Sequence, residues 1–200
     1  MRLRRPIAPS TLVTSSTNAG AAGGIALKHF GKGDTIGFIG CGAIGRVMAR
    51  AAKAVQPDFK GVCYAPDGSH ETFAAEMSAE LGVPFTAMSS AEEMCGASDV
   101  IYTQTPGSTT CVEKSWLKPH CTIICSGSDQ PTKQEIPTDV LAASKYVSDL
   151  TKQTSKVGEL RSALADGSMT EADVYAELCE ICNGSKPGRE GKELIVCDLT

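Results

Sequence analysis

The hexapeptide Gly40-Cys41-Gly42-Ala43-Ile44-Gly45 constrains this chain more than any other feature. It follows the apolar run T-I-G-F-I at residues 35–39 directly and opens into an alanine-rich stretch at 43–55. In a G-x-G-x-x-G placed between a buried strand and a helix, each glycine has its own use. The first permits a tight turn, the second lets backbone approach a pyrophosphate, and the third lets helix and strand pack closely. The helix N-terminus adds oriented N–H groups and a positive partial charge. The pattern points to dinucleotide binding through Gly40, Gly42 and Gly45, with a purely structural glycine turn as the alternative.

The surrounding sequence repeats the same alternation. Strand-like runs at 61–64, 84–88, 99–103 and 122–125 are separated by helical patterns at about 71–81 and 91–94, and 145–147 reads as a last core strand. Such alternation predicts an α/β fold, a Rossmann-type doubly wound parallel sheet, with a leading helix over 19–30 and a short helical C-terminal tail. In that tail, 170–182 reads as a helix and 193–197 as a returning strand. Residues 1–30 are expected to be a leading segment at the junction to another lobe, and 31–200 the dinucleotide-binding domain.

Composition narrows the partners. Nineteen Lys and Arg against 23 Asp and Glu give a net charge of −4, which repels nucleic acid and anionic membranes, so neither is expected as a partner. The nine cysteines are odd in number and scattered from Cys41 to Cys197, and no apolar run is long enough for a signal or a membrane span. Reduced thiols in a cytoplasmic setting are the expectation. The start Met1-Arg2-Leu3-Arg4-Arg5 is basic, but Pro6 follows at once; a transit peptide is the alternative reading of that segment.

Cofactor choice turns on the end of the second strand, Tyr64-Ala65-Pro66-Asp67. A ribose-binding carboxylate is expected about twenty residues past the glycines. Ala65 stands at that place, and Asp67, two residues on, either reaches the ribose hydroxyls or serves as the turn residue of P-D-G. No arginine follows to hold a 2′-phosphate, so NAD is expected, with NADP as the alternative.

Later segments form one pattern: A-E-E-M-C-G-A-S-D-V-I-Y-T-Q-T-P, then W-L-K-P-H-C-T-I-I-C-S-G-S-D-Q-P-T-K-Q-E-I, then Q-T-S-K-V-G-E-L and K-P-G-R. From about Ser15 to Thr200 the chain resembles the ornithine cyclodeaminase and mu-crystallin family, which includes cyclodeaminases, imino-acid reductases and some alanine dehydrogenases. The resemblance implies a nicotinamide-dependent lyase or oxidoreductase of amino-acid metabolism, acting on an amino or imino acid. It makes Asp129 the acid and base at the substrate, a helix or turn cap being the bland alternative. It places Ala43 and Ile44 against the pyrophosphate and Thr105 beside the nicotinamide half. It also brings Ser126, Gly127, Ser128 and Lys133 near the cofactor; an ordinary loop hydroxyl and a solvated lysine are the other readings of Thr105 and Lys133.

Two departures from the family stand out. Where it carries a substrate-binding arginine ahead of the loop, this chain has Asn18, which lacks the charge. The family's substrate and dimerisation lobe comes largely from about a hundred residues ahead of the dinucleotide domain, so the 200 residues are expected to be the cofactor domain of a larger enzyme, with homodimerisation through a lobe largely absent here. A non-catalytic dinucleotide- or small-ligand-binding module of mu-crystallin type is the competing function. Gly158-Glu159-Leu160 reads as a structural turn. The C-x-x-C at Cys179 and Cys182 reads as buried small hydrophobes, and His29, His70 and His120 as surface or cap residues. No metal site is predicted.

Overall fold

The computed structural model describes residues 9–200, with side chains from residue 17 on; the basic segment 1–5 lies outside them. The chain runs α1 (Pro9–Phe30), β1 (Thr35–Ile39), α2 (Ala43–Val55), β2 (Lys60–Tyr64), α3 (Ser69–Leu81), β3 (Phe85–Ala87), α4 (Ala91–Ala97) and β4 (Val100–Thr103). It continues with β5 (Thr122–Cys125), α5 (Thr138–Ala142), β6 (Lys145–Ser148), α6 (Thr151–Thr154), α7 (Leu160–Asp166), β7 (Ala176–Glu177), α8 (Leu178–Cys182) and β8 (Ile195–Asp198). The eight strands form one sheet in the order β3-β2-β1-β4-β5-β8-β6-β7, and every neighbouring pair is parallel. This is the doubly wound α/β arrangement expected from the alternation of runs.

A parallel sheet covered on both faces needs strands that are apolar on both sides. Accordingly β4, β5 and β8 are buried at every position. One face carries an aromatic cluster in which Phe38 stacks on Tyr102 at 5.4 Å and meets Phe73 at 5.7 Å. The other face holds Ile101, Ile123, Tyr146 and Val196 beneath α5 and α7. Helix α1 lies against α2, and the buried Tyr102 hydroxyl donates to Gly23 O at 3.0 Å. At the opposite, amino end of the sheet, Arg189 of the K-P-G-R segment donates to Phe30 O (2.7 Å), Glu193 O (2.7 Å) and Thr122 Oγ1 (2.6 Å). It ties α1 to the starts of β5 and β8. There too His120 Nε2 lies 3.5 Å from Asp99 Oδ1, a pairing the sequence did not reveal.

The tail departs from expectation in two places. Residues 170–182 are not one helix. Thr170 caps a 3-10 turn at Glu171–Asp173, Ala176–Glu177 pairs with β6, and Glu177 caps a new start at α8. Two reciprocal caps within one apolar stretch break it twice. In α8 the buried face is taken by Leu178 and Ile181, which leaves Cys179 and Cys182 exposed, so the reading of these cysteines as buried hydrophobes is corrected.

The last strand of the chain inserts between β5 and β6, and its end closes a line of buried carboxylates along the carboxyl edge. Glu135, Glu159 and Asp198 are all fully buried. Asp198 accepts from the Tyr146 hydroxyl (2.6 Å) and Glu159 N (2.8 Å). Glu159 in turn accepts from Glu135 N (3.0 Å) and Ile136 N (3.0 Å). Glu135 accepts from Thr103 Oγ1 (2.8 Å), Thr105 N (2.5 Å) and Gly127 N (2.9 Å). Each carboxylate thus holds the backbone of the next. Burial, with Asp198 and Glu135 as negative neighbours, pushes Glu159 up to about 9 from 4.5.

The folded state holds a proton that the unfolded state releases between these two values, so the stabilisation from Glu159 is whole below about 4.5 and is lost as pH rises toward 9. Glu159→Gln replaces one accepting oxygen by a donor and should cost about 1–3 kcal/mol at acid pH. Denaturant titrations across pH 5 to 9 should show the deficit shrinking by up to about 1.4 kcal/mol per unit. A deficit independent of pH would contradict the protonated Glu159.

Candidate functional site

The carboxyl ends of β1, β2 and β4 open onto a cavity of about 870 Å³, walled by the glycine loop, the turn after β2 and the segment after β4. Gly40 has φ +93, and a Cβ there would lie 2.5 Å from Gln104 O. A Cβ on Gly45 would lie 2.5 Å from Gly40 O, whereas one on Gly42 would meet nothing within 4 Å. Gly42 therefore faces open space at the start of α2, where it is the N-cap without a side-chain cap bond. The first-turn N–H groups of α2 are left for an anion.

Two side chains brace this loop. Gln104 Nε2 donates to Ile39 O and Gly40 O, each at 2.7 Å. Its Oε1 is buried at the cavity wall without a partner among the described residues, an acceptor for a ligand or water donor. Arg46, which lines the cavity, donates to Cys41 O (2.5 Å) and Gly42 O (3.3 Å) and pairs with Glu76 (2.9 Å). Its guanidinium, 5.6 Å from the Phe73 ring centre, adds a cation beside the loop. The Cys41 thiol is pushed up by the neighbouring Cys63 thiol and by burial, so it stays a neutral part of the floor. Beyond β2, Asp67 accepts from Ser69 N (3.0 Å) and Ser69 Oγ (2.7 Å). These bonds, the hydroxyl first, hold its carboxyl below the usual range.

Of the residues singled out from the sequence, Gly40, Gly42, Ala65, Asp67 and Thr105 line the cavity. Ala43, Ile44 and Gly45 form the first turn of α2 beside it. Ser126, Gly127, Ser128, Asp129 and Lys133 lie one strand further on, after β5, outside the residues that line it. Ser128 Oγ donates to Lys133 O at 2.8 Å, and Asp129, 61% exposed, forms an ion pair of 2.6 Å with Lys133. Asn18 is exposed on α1, away from the cavity lining. Sequence reasoning missed Arg46, Gln104 and Glu135. Arg46 follows the third glycine directly; nothing in a single sequence marks Gln104 or the burial of Glu135. No group of three metal-ligating side chains occurs among the described residues, and no helix among them is long and apolar enough to cross a membrane.

The fold has counterparts among known proteins. The model of the ornithine cyclodeaminase/mu-crystallin family matches residues 6–198. The alanine dehydrogenase of Archaeoglobus fulgidus is 31% identical over 190 residues, which are 94% of this chain and 58% of that protein. The crystal structure of the iminosuccinate reductase of Paracoccus denitrificans with NAD+ superposes with a TM-score of 0.88 at 27% identity, covering 94% of this chain and 58% of that one. The Thermococcus litoralis Δ1-pyrroline-2-carboxylate reductase, in complex with NADH and L-proline, gives 0.87 at 27% identity over 92% and 59%. The chain thus spans less than two thirds of the length of these relatives.

The three glycines should respond differently to added atoms. Gly42→Val has free space and an ordinary φ of −82, so it should melt within a few degrees of the parent yet lose dinucleotide affinity at least tenfold. Gly45→Ala forces a Cβ against Gly40 O and should cost about 1–3 kcal/mol in stability. Thermal melts and NADH fluorescence titrations check both; unchanged NADH affinity in Gly42→Val would contradict the assignment.

Proposed function

Since this chain belongs to the ornithine cyclodeaminase/mu-crystallin family, we propose that it is the cofactor domain of an NAD-dependent enzyme acting at Cα of an amino or imino acid. The observation that carries this reading is the open face of Gly42 at the N-terminus of α2, set in a cavity at the carboxyl edge of the sheet. Ligands of open α/β sheets lie at that edge. Relatives crystallised with NAD+ or NADH support the cofactor.

In this reading the backbone N–H groups of Gly42, Ala43 and Ile44 take the pyrophosphate, with Arg46 adding positive charge from the side. Asp67, past Ala65, receives the ribose hydroxyls, and its charge disfavours a 2′-phosphate. Thr105 borders the nicotinamide half. Bound nicotinamide supplies the acceptor or donor of hydride. Asp129, released from Lys133, exchanges the proton of the substrate nitrogen. Ser126 to Ser128 carry that aspartate on the rigid end of β5. Exposed Asn18 holds no substrate carboxylate in this arrangement, so capture of that group falls to residues of a further lobe, through which the enzyme forms a homodimer. We place the protein in a reducing, cytoplasmic setting, in keeping with its nine free cysteines. The relatives that act on imino acids favour this reading over a non-catalytic binding module.

Fluorescence titration should give NADH the higher affinity, and Asp67→Asn should narrow its advantage over NADPH by about five- to tenfold. A parent chain that prefers NADPH would overturn the role of Asp67. Wherever turnover of alanine, ornithine or pyrroline-2-carboxylate is measured, Asp129→Asn should abolish it with NADH affinity held within a few fold. Full activity in that variant would remove Asp129 from the reaction.

A further inference from the structure

One wall of the cavity is the segment 105–111, which leaves the sheet beside Gly40 and of which Thr105, Pro106, Gly107, Thr109, Thr110 and Cys111 face the cavity. This segment contains neither helix nor strand, so its position depends on what holds its ends. Both ends are held by one residue. Thr105 N donates to the Glu135 carboxylate at 2.5 Å, and Cys111 N donates to the Glu135 carbonyl at 2.9 Å. The same carboxylate accepts from Thr103 Oγ1 and from Gly127 N, joining the wall to the loop that carries Asp129. Glu135 is itself fixed, because its N–H is held by Glu159 and its side chain is fully buried.

We propose that Glu135 is the positioning residue of the cofactor site, holding segment 105–111 as the wall for the nicotinamide half and setting its distance from the loop after β5. The proposal rests on the dinucleotide reading given above. It assigns Glu135 no contact with substrate or cofactor; it acts through Thr105, Cys111 and Gly127. The space left for the side chain is small, since a Cβ on Gly127 would lie 2.2 Å from Glu135 Oε1. Both carboxylate oxygens receive donors, Thr105 N on Oε1 and Thr103 Oγ1 with Gly127 N on Oε2. An amide cannot replace this pair, because its NH2 would face a backbone N–H on one side or the other.

ADP-ribose and NADH separate a positioning role from a general loss of structure. ADP-ribose carries the adenosine, pyrophosphate and ribose that meet the glycine loop but lacks the nicotinamide. Calorimetric titration of the full chain with both ligands is the test. Glu135→Gln should weaken NADH about tenfold and leave ADP-ribose within two- to threefold. Thr103→Val removes one of the three donors without changing the side-chain shape much, and should weaken NADH by about threefold with ADP-ribose unchanged. Equal loss of both ligands in both variants would reduce Glu135 to a fold element and overturn the proposal, as would unchanged NADH affinity. Failure of the parent chain to bind either ligand would overturn the dinucleotide reading itself, and the proposal with it.

Discussion

Buried backbone N–H groups must find acceptors, and at the carboxyl edge of this sheet helices and strands do not provide enough of them. The loops after β4, β5 and β6 pass over three fully buried carboxylates. Glu135, Glu159 and Asp198 satisfy their N–H groups in sequence. The arrangement concentrates three buried carboxyls, with Asp149 alongside pushed up to about 7 by burial and by Asp198. Like charges so close cannot all ionise, and burial raises Glu135 and Asp198 as well. The hydrogen bonds these carboxyls accept tie the irregular loops after β4, β5 and β6 to the edge of the sheet.

The other half of the site is built chiefly on backbone, braced by two side chains. The N-terminus of α2 brings partial positive charge to the floor of the cavity, Gly42 leaves the approach open, and Gly45 lets the helix sit directly against the loop. Gln104 and Arg46 hold the loop carbonyls from opposite sides. On the proposed function these braced N–H groups would meet the pyrophosphate, and bracing of this kind lowers the ordering cost of binding.

Much of this was legible in the sequence because it depends on local chemistry. The strands at 35–39 and 122–125 and the helix at 43–55 were readable to the residue, since glycine, apolar run and helix pattern meet at sharp borders. The place of β8 between β5 and β6 was not, because parallel strands pair across long separations and only the closed sheet selects the neighbour. Residues 170–182 looked helical through their apolar spacing; capping by Thr170 and Glu177 divides them, an effect that competes with periodicity over so short a span. Glu135 reads in sequence as one more charged residue in K-Q-E-I. Its burial follows from donors contributed by Thr103, Thr105 and Gly127, which no single segment announces. Asp129 is the converse: its motif is distinctive, while its side chain lies exposed in an ion pair with Lys133.

In the proposed function one dinucleotide spans from the N-terminus of α2 to the segment held by Glu135. Amide chemical shifts of the 15N-labelled chain during titration with NADH test it most directly. Saturable shifts are expected at Gly42, Ala43 and Ile44, at Asp67, at Thr105 and at Gly107 to Cys111, with one common dissociation constant. Saturable shifts confined to another face of the sheet, or none at Gly42 to Ile44, would contradict it.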